Sequence, residues 1–351
     1  MAGVLVGMSG GVDSAVTALL LRGEGYDVRG ATLVLHRFGK CGEDTAAAGA
    51  CAEALGVPFS VVEGEDVFRG RVMRPFAESY AAGETPNPCV LCNPGAKFPL
   101  LCGEADRLSL PYVATGHYAR VRCENGRYFL ALAADRAKDQ TYVLWALGQE
   151  VLSRLRLPMG ALTKSEARAL AREQRLVSAD RPESQDICFV PDGDYPAFLR
   201  REMGVVSPEG DFLSPEGAVL GRHRGQICYT IGQRRGLGVS AGERLFVLAR
   251  DPARNTVTLG PADLLFSRRM AVRTCNWQAT RPPEAPLALA VKARYSQAPQ
   301  PARLIPTGET TAVIEFLTPQ RALTPGQSAV FYDGDVMLGG GVITAEQTEK
   351  E

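Results

Sequence analysis

With 351 residues, 45% of them hydrophobic, the chain is long enough to bury two or three separate cores. Lys and Arg number 39 against 39 Asp and Glu, which argues against a protein that coats nucleic acid over its whole surface. No apolar run approaches the roughly 18 residues of a membrane span, and no basic stretch precedes the short Val4-Leu5-Val6 run. Neither membrane insertion nor secretion is expected, and a cytoplasmic location is.

Residues 3–7 (GVLVG) read as a buried strand, 13–22 (DSAVTALLLR) as a helix with an apolar face, and 26–35 (YDVRGATLVL) as a second strand. The alternation continues with a helix over 45–55, a strand over 57–63, a helix over 98–109 and strand-like residues at 112–121. It predicts an α/β unit, a doubly wound and mostly parallel sheet whose ligands sit at the carboxyl ends of the strands. Helical patterns follow at 164–175 and 195–203.

After about Gly204 glycine and proline recur every few residues, and short apolar runs at 244–250 and 255–260 point to a small β-rich segment. From about Met270 the runs at 287–295, 311–317, 328–334 and 337–344 read as antiparallel strands of a β-barrel-like unit. The expected division is 1–203, 204–269 and 270–351. Charge is uneven along the chain: residues 215–305 hold 14 Lys/Arg against 5 Asp/Glu, and 306–351 hold 2 against 7. The RHR at 222–224 and the RR at 234–235 lie on glycine-rich stretches of the basic segment, where they could meet phosphates.

The first strand hands over to the first helix through Met8-Ser9-Gly10-Gly11-Val12-Asp13-Ser14. Glycines there let backbone N–H groups approach an anion, and the helix N-terminus adds partial positive charge. The stretch lacks both the Gly-Lys-Ser/Thr of the common NTPase loop and GxGxxG. It suits the pyrophosphate end of ATP, with Asp13 available to Mg²⁺. Taken alone, the same residues would be a capped serine–glycine turn. In its strand-to-helix context SGGVDS resembles the PP-loop of the ATP pyrophosphatases, which cleave ATP to AMP and pyrophosphate while adenylating a substrate.

Nine cysteines, an odd number, fit free thiols in a reducing compartment, most of them small buried residues. The pair in Asn87-Pro88-Cys89-Val90-Leu91-Cys92-Asn93 has three readings. Structural zinc normally takes two close pairs, and this chain has one CxxC. A redox pair should open a helix after a strand, whereas Pro86 and Pro88 predict an extended loop. The third reading is a loop thiol poised over a nucleotide.

TPNPCVLCN with Lys97-Phe98, GHYAR (116–120), KDQTYVLWAL (138–147), ESQDICF (183–189), YTIGQRRGLG (229–238), KARY (292–295) and PGQSAVFYDGDVMLGGG (325–341) together resemble the tRNA-specific 2-thiouridylase family, across nearly the whole chain and in the family's order. The resemblance implies adenylation of the C2 oxygen of the wobble uridine, position 34, in tRNAs for Lys, Glu and Gln, followed by its replacement with sulfur. It implies that Gly7, Met8, Ser9, Gly10, Gly11, Val12, Asp13 and Ser14, with Leu33 and Gly116, bind ATP. It makes Cys92 the nucleophile and Cys188 the carrier of a persulfide received from a donor protein, the two forming a transient disulfide as sulfur is released. Either order of sulfur transfer needs a thiolate, so nearby positive charge is expected to lower a thiol pKa. Asn87, Pro88 and Cys89 match the segment that meets the target base, and His117, Lys138, Asp139, Gln140, Arg294, Tyr295 and Gln327 match tRNA contacts. No resident metal ligand is assigned.

Two positions depart from the family's pattern. Some members carry aspartate where Cys89 stands, so a general acid/base role there is not carried over. The usual isoleucine before Lys97-Phe98 is replaced within Asn93-Pro94-Gly95-Ala96, so a different backbone after Cys92 is expected. Three alternatives stand beside the leading reading: an iron–sulfur-dependent sulfur transferase with Cys89, Cys92 and Cys188 as cluster ligands, another PP-loop adenylating ligase with no need of the cysteines, and a zinc-stabilised RNA-binding module, which leaves SGGVDS unexplained.

Overall fold

The computed structural model describes residues 1–39, 41–174, 176, 187–239 and 242–345. Residues 183–186 of the 183–189 motif lie outside them, as does Arg175 at the end of an expected helix. Strands β1 (Gly3–Gly7), β2 (Asp27–Val34), β3 (Phe59–Glu63) and β4 (Tyr112–Ala114) form a parallel sheet in the order β3-β2-β1-β4, extended by Leu155–Arg156. β1 is central and buried on both faces. Val4 and Val6 pack with helix α1 (Val12–Gly23) and helix α2 (Cys41–Ala54), while Leu5 packs on the other face with Phe98, Leu101 and Trp145. That two-sided burial is why GVLVG is a continuous apolar run.

The central segment forms a four-stranded sheet, Phe246–Asp251, Thr256–Gly260, Gly210–Leu213 and Val219–His223 in that order, over a small core of Phe212, Tyr229, Val247, Val257 and Leu259. The C-terminal segment is a closed antiparallel barrel of six strands. Phe266–Trp277 pairs with Thr311–Arg321 on one side and with Val336–Thr344 on the other, closing the ring. Two of its strands, Phe266–Trp277 and Gln300–Gly308, are not signalled by the apolar runs, because polar and charged residues interrupt them.

The motif at 138–147 is the seat of the barrel. Tyr142 OH donates to Ser328 O (3.0 Å), Trp145 Nε1 to Ser328 Oγ (2.9 Å), and Gln278 Nε2 donates to the carbonyls of Leu144 and Trp145. A second junction forms at residues 83–85. Arg250 of the central sheet donates to Gly83 O (2.6 Å) and Thr85 Oγ1 (3.0 Å). From the barrel side, Arg273 pairs with Glu84 (2.9 Å), Thr85 N–H donates to Pro325 O (2.8 Å), and Gln327 Nε2 donates to Thr85 O (2.6 Å). Gly326, at φ 87°, lies so close that a Cβ would stand 2.8 Å from Glu84 Cβ and from Thr85 N.

Candidate active site

β1 delivers the chain to Gly10 and Gly11, and Gly11 starts α1 without any side chain capping it. At the carboxyl ends of β1, β2 and β4 lies a cavity of about 310 Å³. Gly7, Met8, Ser9, Asp13 and Ser14 line it from the glycine turn, Leu33 from β2, and Gly116, His117 and Gln140 from the far wall. Gly10, Gly11 and Val12 do not line it, and the Val12 side chain is in the core beneath. Ser14 Oγ accepts from Ser9 N–H (3.2 Å) and donates to Gly11 O (3.1 Å), which holds the turn in shape. Gly116 presses on the start of α1: a Cβ there would meet Asp13 C, Asp13 Cβ and Ser14 N, each at 2.9 Å.

A lysine does serve this turn, although it comes from elsewhere in the chain. Lys164 Nζ stands 2.8 Å from both oxygens of Asp13, and Tyr118 OH donates to Asp13 Oδ1 (2.8 Å). Lys164 is the first residue of the helix Lys164–Glu173, fixed by a capping box of Thr163 and Glu166, and its N–H donates to Asp135 Oδ2 (3.0 Å). Nothing in KSEARALARE distinguishes this lysine from a solvated one, which is why pattern reading passes over it.

Asn87 and Pro88 begin a helix and not a loop. Asn87 Oδ1 accepts from Cys89 N–H (3.0 Å), Pro88 takes the first helical position, and the helix Pro88–Cys92 runs through a π turn, Asn93–Lys97, into Phe98–Arg107. Proline is well suited to that first position, where its missing N–H costs nothing. The π turn falls on the residues that depart from the family's pattern. Asn93 anchors it, donating from Nδ2 to Val143 O (2.7 Å). Cys89 is exposed and Cys92 buried.

Cys188, 96 positions after Cys92, comes within electrostatic reach of this pair: Cys92 and Cys89 both act on its thiol, as does the Lys97 ammonium. Cys188 is an exposed residue, yet protein crowds its thiol, and lost hydration together with the two neighbouring thiols pushes its pKa up to about 12. Burial likewise pushes Cys92 up, against the opposing pull of Lys97 and of a hydrogen bond from the Lys97 N–H. The expected lowering of the thiol pKa is therefore not found in the free protein, because desolvation outweighs the pull of Lys97. Among the described residues no three His, Cys, Asp or Glu side chains converge as a metal-holding group.

His117 is half-buried, bonded through Nδ1 to Thr115 Oγ1 (2.7 Å) and stacked on Phe98 (6.2 Å). Burial first and Lys97 second hold its pKa well below the usual range, so the ring is neutral at pH 7. Gln140 Oε1 accepts from Tyr118 N–H (2.9 Å). Asp139 is buried, and its carboxylate accepts from Ala133 N–H and from the N–H and hydroxyl of Thr141. Lys138 is half-buried beside it. Arg294 braces the barrel through Ala322 O (2.7 Å) and Thr324 Oγ1 (2.9 Å). Tyr295 is exposed and meets Tyr142 edge-on at 5.8 Å. Gln327 stands at the 83–85 junction, which leads directly into Asn87.

The tRNA methyl transferase HUP domain family matches residues 2–192, the PRC-barrel domain family of the same name residues 196–261, and the aminomethyltransferase β-barrel domain family residues 267–343. The tRNA-specific 2-thiouridylase of Chloroflexus aurantiacus is 47% identical over 354 residues, covering 98% of each chain. That of Chlorobium luteolum is 45% identical over 350 residues, covering 97% of this chain and 95% of its own. That of Acidithiobacillus ferrooxidans is 43% identical over 343 residues, 97% of each. Among solved structures, a 4-thiouridine synthetase in complex with RNA and bound ATP is similar at 15% identity and TM-score 0.36, over 58% of this chain and 50% of that one. The end-to-end similarity to the curated enzymes and the three matched domains place this chain in the tRNA-specific 2-thiouridylase family.

Proposed function

We propose that the chain is an ATP-dependent tRNA sulfurtransferase that converts the wobble uridine, position 34, of tRNAs for Lys, Glu and Gln to 2-thiouridine in the cytoplasm. The observation that carries this reading is the cavity at the carboxyl ends of the strands, lined both by the glycine turn and by Lys97, five positions after Cys92, with the Cys188 thiol within electrostatic reach of Cys92. On this reading residues 1–203 hold the chemistry, while 204–269 and 270–351 grip the RNA. Asn87, Pro88, Cys89, His117, Lys138, Gln140, Arg294, Tyr295 and Gln327 are the proposed tRNA-facing set. Asp139 supports it from within, since its carboxylate is already occupied.

ATP is consumed as a co-substrate, its phosphates at the Ser9–Ser14 turn and its base toward Leu33. The uridine C2 oxygen attacks the α-phosphorus, and pyrophosphate leaves. A donor protein has loaded Cys188 as S–SH. The terminal sulfur attacks C2, the C2–O bond breaks, and AMP leaves with the electron pair. Cys92 thiolate then attacks Cys188 Sγ, so that the S–S bond to the transferred sulfur breaks, a Cys92–Cys188 disulfide forms, and the sulfur stays on C2. In the alternative order Cys92 attacks first and the released hydrosulfide attacks C2. Both orders oxidise two thiols to the disulfide, which an external thiol must reduce before the next turnover. Neutral His117 can donate or accept one hydrogen bond beside the base. Mg²⁺ does not fit Asp13 as the side chains stand, because Lys164 already holds both oxygens, and no step is routed through it.

A single-turnover assay with ATP, a persulfide source and unmodified tRNA tests the reading, with 2-thiouridine detected by mass spectrometry. Product from metal-free wild type that is lost in both Cys92→Ser and Cys188→Ser supports it. Full product from either variant refutes the assigned roles, and product that appears only after iron is restored makes the cysteines cluster ligands.

A further inference from the structure

Of the described residues that line the cavity, Lys97 alone carries a permanent positive charge. It closes the π turn that follows Cys92. Its ammonium acts electrostatically on Cys92, on Cys188 and on His117. Its backbone has little freedom: Phe98, the next residue, is fully buried and stacked on His117, and Asn93 ties the other end of the turn to Val143. The side chain therefore lines the cavity from a fixed point of the backbone and has both thiols within electrostatic reach.

We propose that Lys97 is a catalytic cation shared between the nucleotide phosphate and the two thiols. The inference rests on the adenylating, sulfur-transferring reading given above. With the cavity empty, the ammonium faces the sulfurs and offsets part of the burial that disfavours a thiolate. With nucleotide bound, it turns to the α-phosphate. When sulfur forms its bond to C2 and the C2–O bond breaks, the departing phosphate oxygen gains negative charge, and Lys97 meets that charge without giving up a proton. The titratable groups it acts on are Cys92 and Cys188 on the sulfur side and His117 on the cavity side, while Asp13, which also lines the cavity, is held by Lys164. Because His117 is neutral, it does not compete with Lys97 for the phosphate.

The test needs no turnover. Wild type, Lys97→Met and Lys97→Arg are reduced. ATP affinity is then measured by calorimetry, and iodoacetamide alkylation of Cys92 and Cys188 is followed by peptide mass spectrometry at pH 8, with and without a non-hydrolysable ATP analogue. Lys97→Met is expected to bind ATP about tenfold more weakly, as loss of a charged hydrogen bond predicts. It is also expected to alkylate both thiols several-fold more slowly. The analogue is expected to slow alkylation in wild type and to have no effect in Lys97→Met, and Lys97→Arg to restore both properties. A methionine variant with wild-type affinity and alkylation overturns the proposal, and so does one in which only one of the two changes. If wild type binds no ATP, the nucleotide reading of the cavity fails instead. Lys97→Gln serves the same comparison where the methionine variant does not fold.

Discussion

Lys164 and Asp13 are 151 positions apart, and the lysine ammonium sits 2.8 Å from each carboxylate oxygen. The lysine side chain is 11% exposed and the aspartate 32%, so the pair is shielded from solvent more than a surface ion pair is. Lys164→Met is expected to lower stability by about 1.5–3 kcal/mol, the range for hydrogen bonds to charged groups. Urea unfolding of the nucleotide-free protein reads this directly, and an unchanged midpoint at constant slope would show that the pair contributes nothing.

Burial and the two neighbouring thiols raise the pKa of Cys188 from an ordinary thiol's 9.0 to about 12 in the folded free protein. A raised folded pKa means that between pH 9 and about 12 the folded chain keeps a proton that the unfolded chain has released. The stability contributed by the protonated thiol is complete below the ordinary pKa and falls as pH climbs through this window. Alkylation of Cys188 without tRNA should therefore keep accelerating from pH 7 to pH 10. A plateau below pH 8 would mean that the thiolate is already formed in the free enzyme.

Gly326→Ala should disturb the 83–85 junction twice over, by forcing a side chain into φ 87° and by driving a Cβ into Thr85. A loss of about 1–3 kcal/mol is expected for such strain. Thiolation should fall more than ATP binding does, because Thr85 precedes the helix of Cys92 while the cavity lies elsewhere. Equal losses in both would place the damage in general unfolding.

Arg234 and Arg235 are exposed in the central segment. Replacing both with Ala should weaken tRNA binding and flatten its salt dependence by about one unit of slope for each phosphate that is no longer neutralised. An unchanged slope removes them from the RNA interface.

The parallel sheet is legible in the sequence because β1 and β2 are apolar runs flanking a glycine turn, and the barrel because four of its strands are apolar and turn-bounded. The strand Phe266–Trp277 is not, since Arg268, Arg269 and Arg273 face solvent along it and hide the buried Met270 and Val272. The helix at Pro88–Cys92 replaces an expected loop although its signal is present: Asn followed by Pro is a cap and a first helical residue, and here the capping asparagine outweighs the two prolines. Lys164 cannot be found from pattern at all. Its importance lies in a contact made across the fold, and its local sequence only describes a well-capped helix. The thiol pKa expectation fails for a related reason, because composition shows that a lysine is near in sequence but not how much water the fold has removed.

The junction at residues 83–85 limits how this chain can be recombined. Arg250, Arg273, Pro325 and Gln327 all reach it, the first from the central sheet and the other three from the barrel. A barrel exchanged with that of a relative brings its own 325–327 turn and must match the backbone of Glu84 and Thr85 to within a methyl group, since no Cβ fits at Gly326. The three units can be counted separately along the sequence, yet they are not interchangeable parts. A hybrid would need residues 83–85 and 325–327 to travel together from the same parent.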